Sequence, residues 1–212
     1  MASEKHIESV KNVYNEIGQE FSASRQYIWP DLKPFLTKVK PGSSVLDVGC
    51  GNGRLLLGLP QNIKYTGLDI SRELLREAEK SHPNQKFIET DITKEQIWKH
   101  LPQYDYIFCV AVIHHLPTQK DQLFVLQQIQ KHLKPKGKVL ITVWNLWQPK
   151  YLKYHFDLKT KLQNPHFVYI PFQGKPRFCF AFTQLYLQKL LHQAKLKLKI
   201  KKTHHNYLLT QL

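Results

Sequence analysis

Short apolar runs alternate along this chain with stretches in which apolar positions recur every three or four residues. Val45 to Val48, Tyr65 to Leu68, Lys86 to Glu89, Tyr106 to Val110 and Val139 to Val143 have strand length and read as five buried strands. Between them, Arg54 to Leu59, Arg72 to Lys80, Lys94 to His100 and Gln119 to Leu133 carry the helical period. Strand and helix in alternation predict a parallel sheet with right-handed crossovers and helices on both faces.

The punctuation agrees with those boundaries. Pro41-Gly42 precedes the first strand, Ser71 is placed to cap the helix after the second, and Pro135-Lys136-Gly137 is placed to stop the long helix. After Trp144 the pattern changes. Residues 145 to 182 are aromatic, dotted with proline and weakly periodic, whereas Gln184 to Ala194 is helical again. From Lys195 to Lys202 the alternation is strict, with Leu196, Leu198 and Ile200 on one face and lysines on the other, and a short strand is expected from Tyr207 to Leu209. No repeat or Gly/Pro/Ser-rich linker divides the 212 residues, which predicts one domain.

Composition excludes fibrous, collagenous and wholly disordered chains, since 42% of residues are hydrophobic and 22% charged. Cys50, Cys109 and Cys179 are too widely spaced for a CxxC pair or a metal knuckle, so they are read as small buried residues and no metal is expected. No run approaches the roughly 20 apolar residues that cross a bilayer, and the first residues lack an apolar signal core, so a cytoplasmic protein without a membrane partner is expected.

Charge is distributed unevenly. Residues 1 to 40 carry six Lys/Arg against five Asp/Glu, residues 41 to 150 fourteen against ten, and residues 151 to 212 eleven against one. A basic last third is the electrostatic footprint of a polyanion binder, although 26 of the 31 cations are lysine and a lysine-rich composition alone gives the same sum.

The strongest local signal is Val45-Leu-Asp-Val-Gly-Cys-Gly-Asn-Gly-Arg54, in which a buried strand runs into glycines at 49, 51 and 53 just before a helical segment. Glycine there permits positive φ and lets a ligand lie against the backbone, at the carboxyl end of the strand where open α/β sheets bind ligands. Asp69 follows Gly49 by 20 residues at the tip of the next strand, where a carboxylate can accept both ribose hydroxyls. Dinucleotide folds use GxGxxG with a pyrophosphate on the helix N-terminus. Here the spacing is GxGxG and Asp47 stands two residues ahead; that carboxylate would repel a pyrophosphate but pair with an ammonium, which favours S-adenosylmethionine over a nicotinamide dinucleotide.

With those residues the chain resembles the class I S-adenosylmethionine-dependent methyltransferases. Val45 to Arg54 is similar to their first motif and Gly67-Leu-Asp-Ile70 to the second; Glu89-Thr-Asp-Ile92, Tyr104 to His115 and Leu133 to Ile141 resemble the later ones, in order. The resemblance implies a Rossmann-like, doubly wound α/β fold with a mostly parallel seven-stranded sheet and an antiparallel last strand. It also implies Asp47, Gly49 and Gly51 beside the methionine part of the cofactor, Asp69 with Ile70 on the ribose, Asp91 and Ile92 around adenine, and Ala111 at the methyl end. Asp91 as a turn cap and Ala111 as plain core are the structural alternatives.

Further resemblance concerns the methyl acceptor. Val13 to Arg25 leading into Trp29-Pro30, Val112-Ile-His-His-Leu116, and Val168 to Phe172 followed by Arg177 to Thr183 resemble the tRNA wobble-uridine carboxymethyl methyltransferases. Cys179 and Phe180 depart from that pattern, where Tyr and His are expected. The resemblance implies esterification of a 5-carboxymethyluridine carboxylate, tRNA as substrate on the basic C-terminal third, and a small zinc-binding activator protein as a partner of eukaryotic relatives.

Arg25 and Arg177 are the candidates to orient the carboxylate, because arginine offers paired donors and is scarce here. His115 is the favoured acceptor contact of the pair that follows the fourth strand; His114 is a further substrate-binding candidate, although adjacent residues at a strand end are expected to point apart, and a structural role for both is the alternative. Tyr14, Trp29 and Trp144 are candidates to stack on a base, or to pack the core, while Arg54, Arg72 and Arg76 read as solvated. The expected layout is an N-terminal helical lid over 1–40, a cofactor-binding core over 41–144, an acceptor-binding insertion over 145–182 and a C-terminal helix and strands over 183–212. Two rival functions stay open: a small-molecule carboxylate or hydroxyl methyltransferase, and a non-catalytic cofactor-binding RNA module.

Overall fold

A computed structural model describes residues 2–211. The helices are α1 (Ala2–Glu16), α2 (Gly18–Ala23), α3 (Lys33–Leu36), α4 (Arg72–Ser81), α5 (Glu95–Trp98), α6 (Gln119–Lys131), α7 (Pro149–Leu152), α8 (Leu158–Gln163) and α9 (Gln184–Gln193). The strands are β1 (Ser44–Val48), β2 (Lys64–Asp69), β3 (Lys86–Glu89), β4 (Tyr104–Val110), β5 (Leu133–Trp144), β6 (Phe167–Phe172), β7 (Lys175–Phe180), β8 (Lys199–Lys202) and β9 (Asn206–Thr210). Seven strands form one sheet in the order β3-β2-β1-β4-β5-β9-β8. The pairs from β3 to β5 are parallel, and β9 alone runs against its neighbours β5 and β8. The mostly parallel doubly wound sheet with an antiparallel last strand is therefore present.

Why the runs become strands is visible in their two-sided burial. On β4, Ile107 and Cys109 enter the core on one sheet face while Tyr106 and Phe108 enter the core on the other. Val125, Leu126 and Ile129 of α6 fill the first face together with Leu187 and Leu190 of α9. Leu75 of α4 and Leu36 of α3 fill the second. Capping fixes the helix starts: Ser71 Oγ accepts the Leu74 amide and Thr118 Oγ1 the Asp121 amide.

Several boundaries differ from the periodicity. The segment after the glycines is a 3₁₀ turn, Arg54–Gly58, and Lys94 to His100 contains only the single turn α5. Pro135-Lys136-Gly137 does not precede the fifth strand but lies inside it, where the β4–β5 register shifts. The alternation from Lys195 holds in burial, yet only Lys199–Lys202 pairs with β9. In the aromatic segment, β6 and β7 form a separate hairpin joined at Gln173 and Gly174, whose φ values of 48° and 74° suit a two-residue turn. Phe178 and Phe180 of that hairpin enter the main core, while Val168, Ile170 and Cys179 pack with Leu146 on its other side.

The hairpin and the N-terminal helices roof the carboxyl ends of β1, β2 and β4. Ser71 Oγ donates to Asn15 Oδ1 at 2.8 Å, seating α1 on the start of α4, and Phe21 of α2 meets Phe172 at the hairpin tip edge-on. Among the described residues no helix is long and apolar enough to cross a membrane.

Candidate active site

Beneath this roof lies a cavity of about 1180 Å³, counting its open mouth, at the switch point where β1 is flanked by β2 and β4. Its floor is the glycine turn. Gly49 has φ 74°, and a Cβ there would come within 2.2 Å of Val112 Cγ2, so only glycine fits. Gly51, at φ 55°, meets only Leu74 Cδ1 at 3.8 Å, leaving its backbone open to the cavity.

Two buried carboxylates border the turn. Asp69 accepts the Gly51 amide at 2.7 Å on Oδ2 and the Ser71 amide at 2.9 Å on Oδ1. Each oxygen keeps a lone pair for a ribose hydroxyl. Burial pushes its pKa up, and those backbone donors oppose the shift. Asp47 Oδ2 accepts the Tyr65 hydroxyl at 2.8 Å. Burial raises its pKa to about 7, with the Tyr65 hydrogen bond acting the other way.

At the outer end, Asp91, Ile92 and Ile70 line the same cavity. Asp91 Oδ1 receives the Thr93 amide and hydroxyl, at 2.9 and 2.7 Å, so it does cap the turn while standing in the wall. At the inner end, Ala111 holds the left-handed φ of 60°, rare without glycine, pinned by its amide donating to Thr142 O and Oγ1 at 3.1 and 3.0 Å.

Beyond Ala111 the histidines occupy a 3₁₀ turn, Ile113–His115, rather than a strand end. They therefore do not point apart: their ring centroids are 4.4 Å from each other. His115 faces the cavity. Its Nδ1–H donates to Phe178 O at 2.7 Å, which leaves Nε2 to accept the Tyr14 hydroxyl at 3.0 Å. Burial depresses its pKa to about 4, so the ring is neutral at pH 7. His114, expected to bind substrate, does not line the cavity: it is fully buried behind the wall, stacked on Trp144, and its Nε2 has no partner.

Cys179 completes a buried trio with the two histidines, their ligand-type atoms lying within 4.8 Å of one another. Both nitrogens of His115 are engaged, and burial pushes the Cys179 thiol up to about 12, away from the thiolate that a metal needs. Phe180 stacks on His166 inside the core at 4.7 Å, so neither departure from the expected Tyr and His faces the cavity.

Tyr14, Trp29, Trp144 and Arg25 line the cavity. The Arg25 guanidinium lies 5.2 Å from the Phe21 ring and 5.8 Å from Phe172. Arg177 is buried instead, its Cζ 5.0 Å from both the Trp144 and Phe172 rings, with Nε and Nη1 unpartnered. Burial raises the Tyr14 pKa, against the pull of the nearby Arg177 charge. Sequence reasoning missed Tyr65, which no local motif marks, and misplaced Arg54. Arg54 is not solvated: it lines the cavity with its guanidinium 4.5 Å above the Trp29 ring. Arg72 and Arg76 do lie on the surface, paired with Glu79 and Glu73.

Positive-φ glycines and two buried acids thus border one cavity at the switch point of a Rossmann-like, mostly parallel sheet. The chain belongs to the family described as methyltransferase domain, which matches residues 21–199. A tRNA (carboxymethyluridine(34)-5-O)-methyltransferase of Saccharomyces cerevisiae is 34% identical over 151 residues, covering 69% of this chain and 52% of that protein. One of Xenopus tropicalis, named alkbh8, is 34% identical over 169 residues, covering 72% of this chain and 24% of that protein. This chain thus spans about a quarter to a half of those relatives. Among solved structures, a SAM-dependent methyltransferase of Methanosarcina mazei superposes with a TM-score of 0.69 at 17% identity, over 87% of this chain and 97% of that one. A DhpI complex with SAM and HEP gives 0.68 at 19% identity, over 97% of both chains.

Proposed function

We propose that this protein is an S-adenosylmethionine-dependent methyltransferase that esterifies the carboxylate of 5-carboxymethyluridine at the wobble position of tRNA. The observation that carries the cofactor half is the pair of buried acids around an open glycine backbone: Asp69 with free lone pairs for a ribose, and Asp47 beside Gly49 and Gly51 for the ammonium. Asp91 and Ile92 border the adenine end and Ala111 the methyl end. The named activity of the curated relatives supports the acceptor half.

When bound, the cofactor supplies an electrophilic sulfonium methyl and departs as a neutral thioether. The acceptor carboxylate is already ionised at pH 7, so no general base is needed. His115 suits that demand. Neutral and hydrogen-bonded at both nitrogens, it moves no proton but fixes the Tyr14 hydroxyl beside the buried Arg177. Arg25 orients the acceptor carboxylate, and Arg177, behind Trp144, supplies positive potential from within the wall. Positioning and preorganised charge, with water excluded by the aromatic roof, carry the rate.

The basic last third tracks the RNA backbone, with Lys195, Lys197, Lys199 and Lys201 on the exposed face of the C-terminal stretch. A cytoplasmic site of action and a small zinc-binding activator partner belong to the same reading. Incubating bulk tRNA with the protein and deuterated cofactor, followed by nucleoside mass spectrometry, is expected to show a deuterated methyl ester of 5-carboxymethyluridine. Label that survives ribonuclease treatment of the acceptor pool, or no labelled nucleoside, rejects it.

A further inference from the structure

The five arginines fall into two groups. Arg72 and Arg76 reach Glu79 and Glu73 on the surface of α4. Arg54 forms no ion pair among the described residues, although its Nη1 is buried without a hydrogen-bond partner. A buried donor left unmade costs about 1–3 kcal/mol, which is a reason to look for the anion that completes it.

The position narrows the choice. Arg54 directly follows the glycine turn and lines the same cavity as Asp47. Its guanidinium rests on the face of Trp29 at 4.5 Å, so the ring holds the plane while the N–H groups at its edge remain free to donate. An α-amino acid group carries an ammonium and a carboxylate on one carbon, so a site that receives it needs an anion and a cation side by side. Asp47 is the anion. Arg25 also borders the cavity, but it is held on the roof against Phe21 and Phe172.

On the reading that the cavity binds S-adenosylmethionine, we infer that Arg54 is the binding group for the α-carboxylate of its amino-acid arm. Trp29 is then a platform for this arginine, and Asp47 and Arg54 together grip the two charges of the arm. Burial and the charge of Arg25 push the Arg54 pKa down to about 10, with the nearby Asp47 carboxylate acting the other way.

Calorimetry on the full chain with two nucleosides tests this: S-adenosylhomocysteine, and 5′-deoxy-5′-methylthioadenosine, which keeps the adenosine and thioether but lacks the amino-acid arm. Arg54→Gln is expected to weaken the first roughly ten- to hundredfold, the worth of a charge-assisted hydrogen bond, and to leave the second within about twofold. Arg54→Lys, which keeps the charge, should recover part of the loss, and thermal melts verify that both variants fold. An equal loss for both nucleosides makes Arg54 a structural prop, and unchanged homocysteine-derivative binding assigns it elsewhere; either overturns the inference. If the unaltered protein binds neither nucleoside, the cofactor reading fails first and the arginine assignment with it.

Discussion

Replacing Asp47 by Asn should stabilise this protein while altering the proposed cofactor site, and the stabilisation should depend on pH. In the folded chain Asp47 has a pKa of about 7, against 3.8 for the free side chain. The folded state therefore holds that proton more tightly than the unfolded one. Stability from this group is fully present below about pH 4 and is lost as pH rises through 7. At pH 8 the ionised carboxylate costs about 4 kcal/mol, from 1.36 kcal/mol per unit of pKa. Asn has the same shape, carries no charge to bury, and keeps an oxygen for the Tyr65 hydroxyl. Asp47→Asn should then melt higher than the unaltered protein at pH 8, with the gap narrowing by roughly 2–3 kcal/mol at pH 5, or on the order of 5–10 °C for a chain of this size. Taking the difference between two melts at each pH cancels the other titrating groups. A gap that stays constant between pH 5 and 8, or a variant that melts lower at pH 8, would refute a buried and strained carboxylate.

The same group gives a binding prediction: on the proposed pairing of the cofactor ammonium with ionised Asp47, affinity measured by calorimetry should fall up to tenfold per unit as pH drops below about 7. Asp69→Ala should cut that affinity at least tenfold at any pH from 6 to 8, since it removes both ribose acceptors and the partner of the Gly51 amide; unchanged affinity would place the nucleoside elsewhere. Binding of tRNA should weaken steeply between low and moderate salt, and replacing Lys197, Lys199 and Lys201 by Gln should flatten that slope in a filter-binding series.

The sheet was legible because parallel strands buried on both faces, such as Ser44–Val48 and Tyr104–Val110, leave short apolar runs that no surface element mimics; Lys86–Glu89 falls where the pattern puts it but is a half-exposed edge strand rather than a buried one. The β6–β7 hairpin was not. Its outward and inward positions are both apolar, since one side meets the main core and the other meets Leu146 and Trp144, which erases the period of two. That Asp47, Gly51 and Asp69 share one cavity wall could be read from the sequence, because the glycine turn and the two strand ends that carry them lie side by side in such a sheet. The rest of the cavity lining depends on tertiary placement. Nothing local distinguishes Arg54 from Arg72, and the histidine geometry follows from a 3₁₀ turn that adjacent residues in a sequence do not reveal.

The His115 ring joins three separate pieces of chain. One nitrogen is fastened to the hairpin through Phe178, the other to the first helix through Tyr14, and the ring itself rides on the turn that closes β4. It works as a rivet through three plates. Trimming the protein back to its seven-stranded sheet would strip both nitrogens of their partners and open the His115 side of the cavity to water.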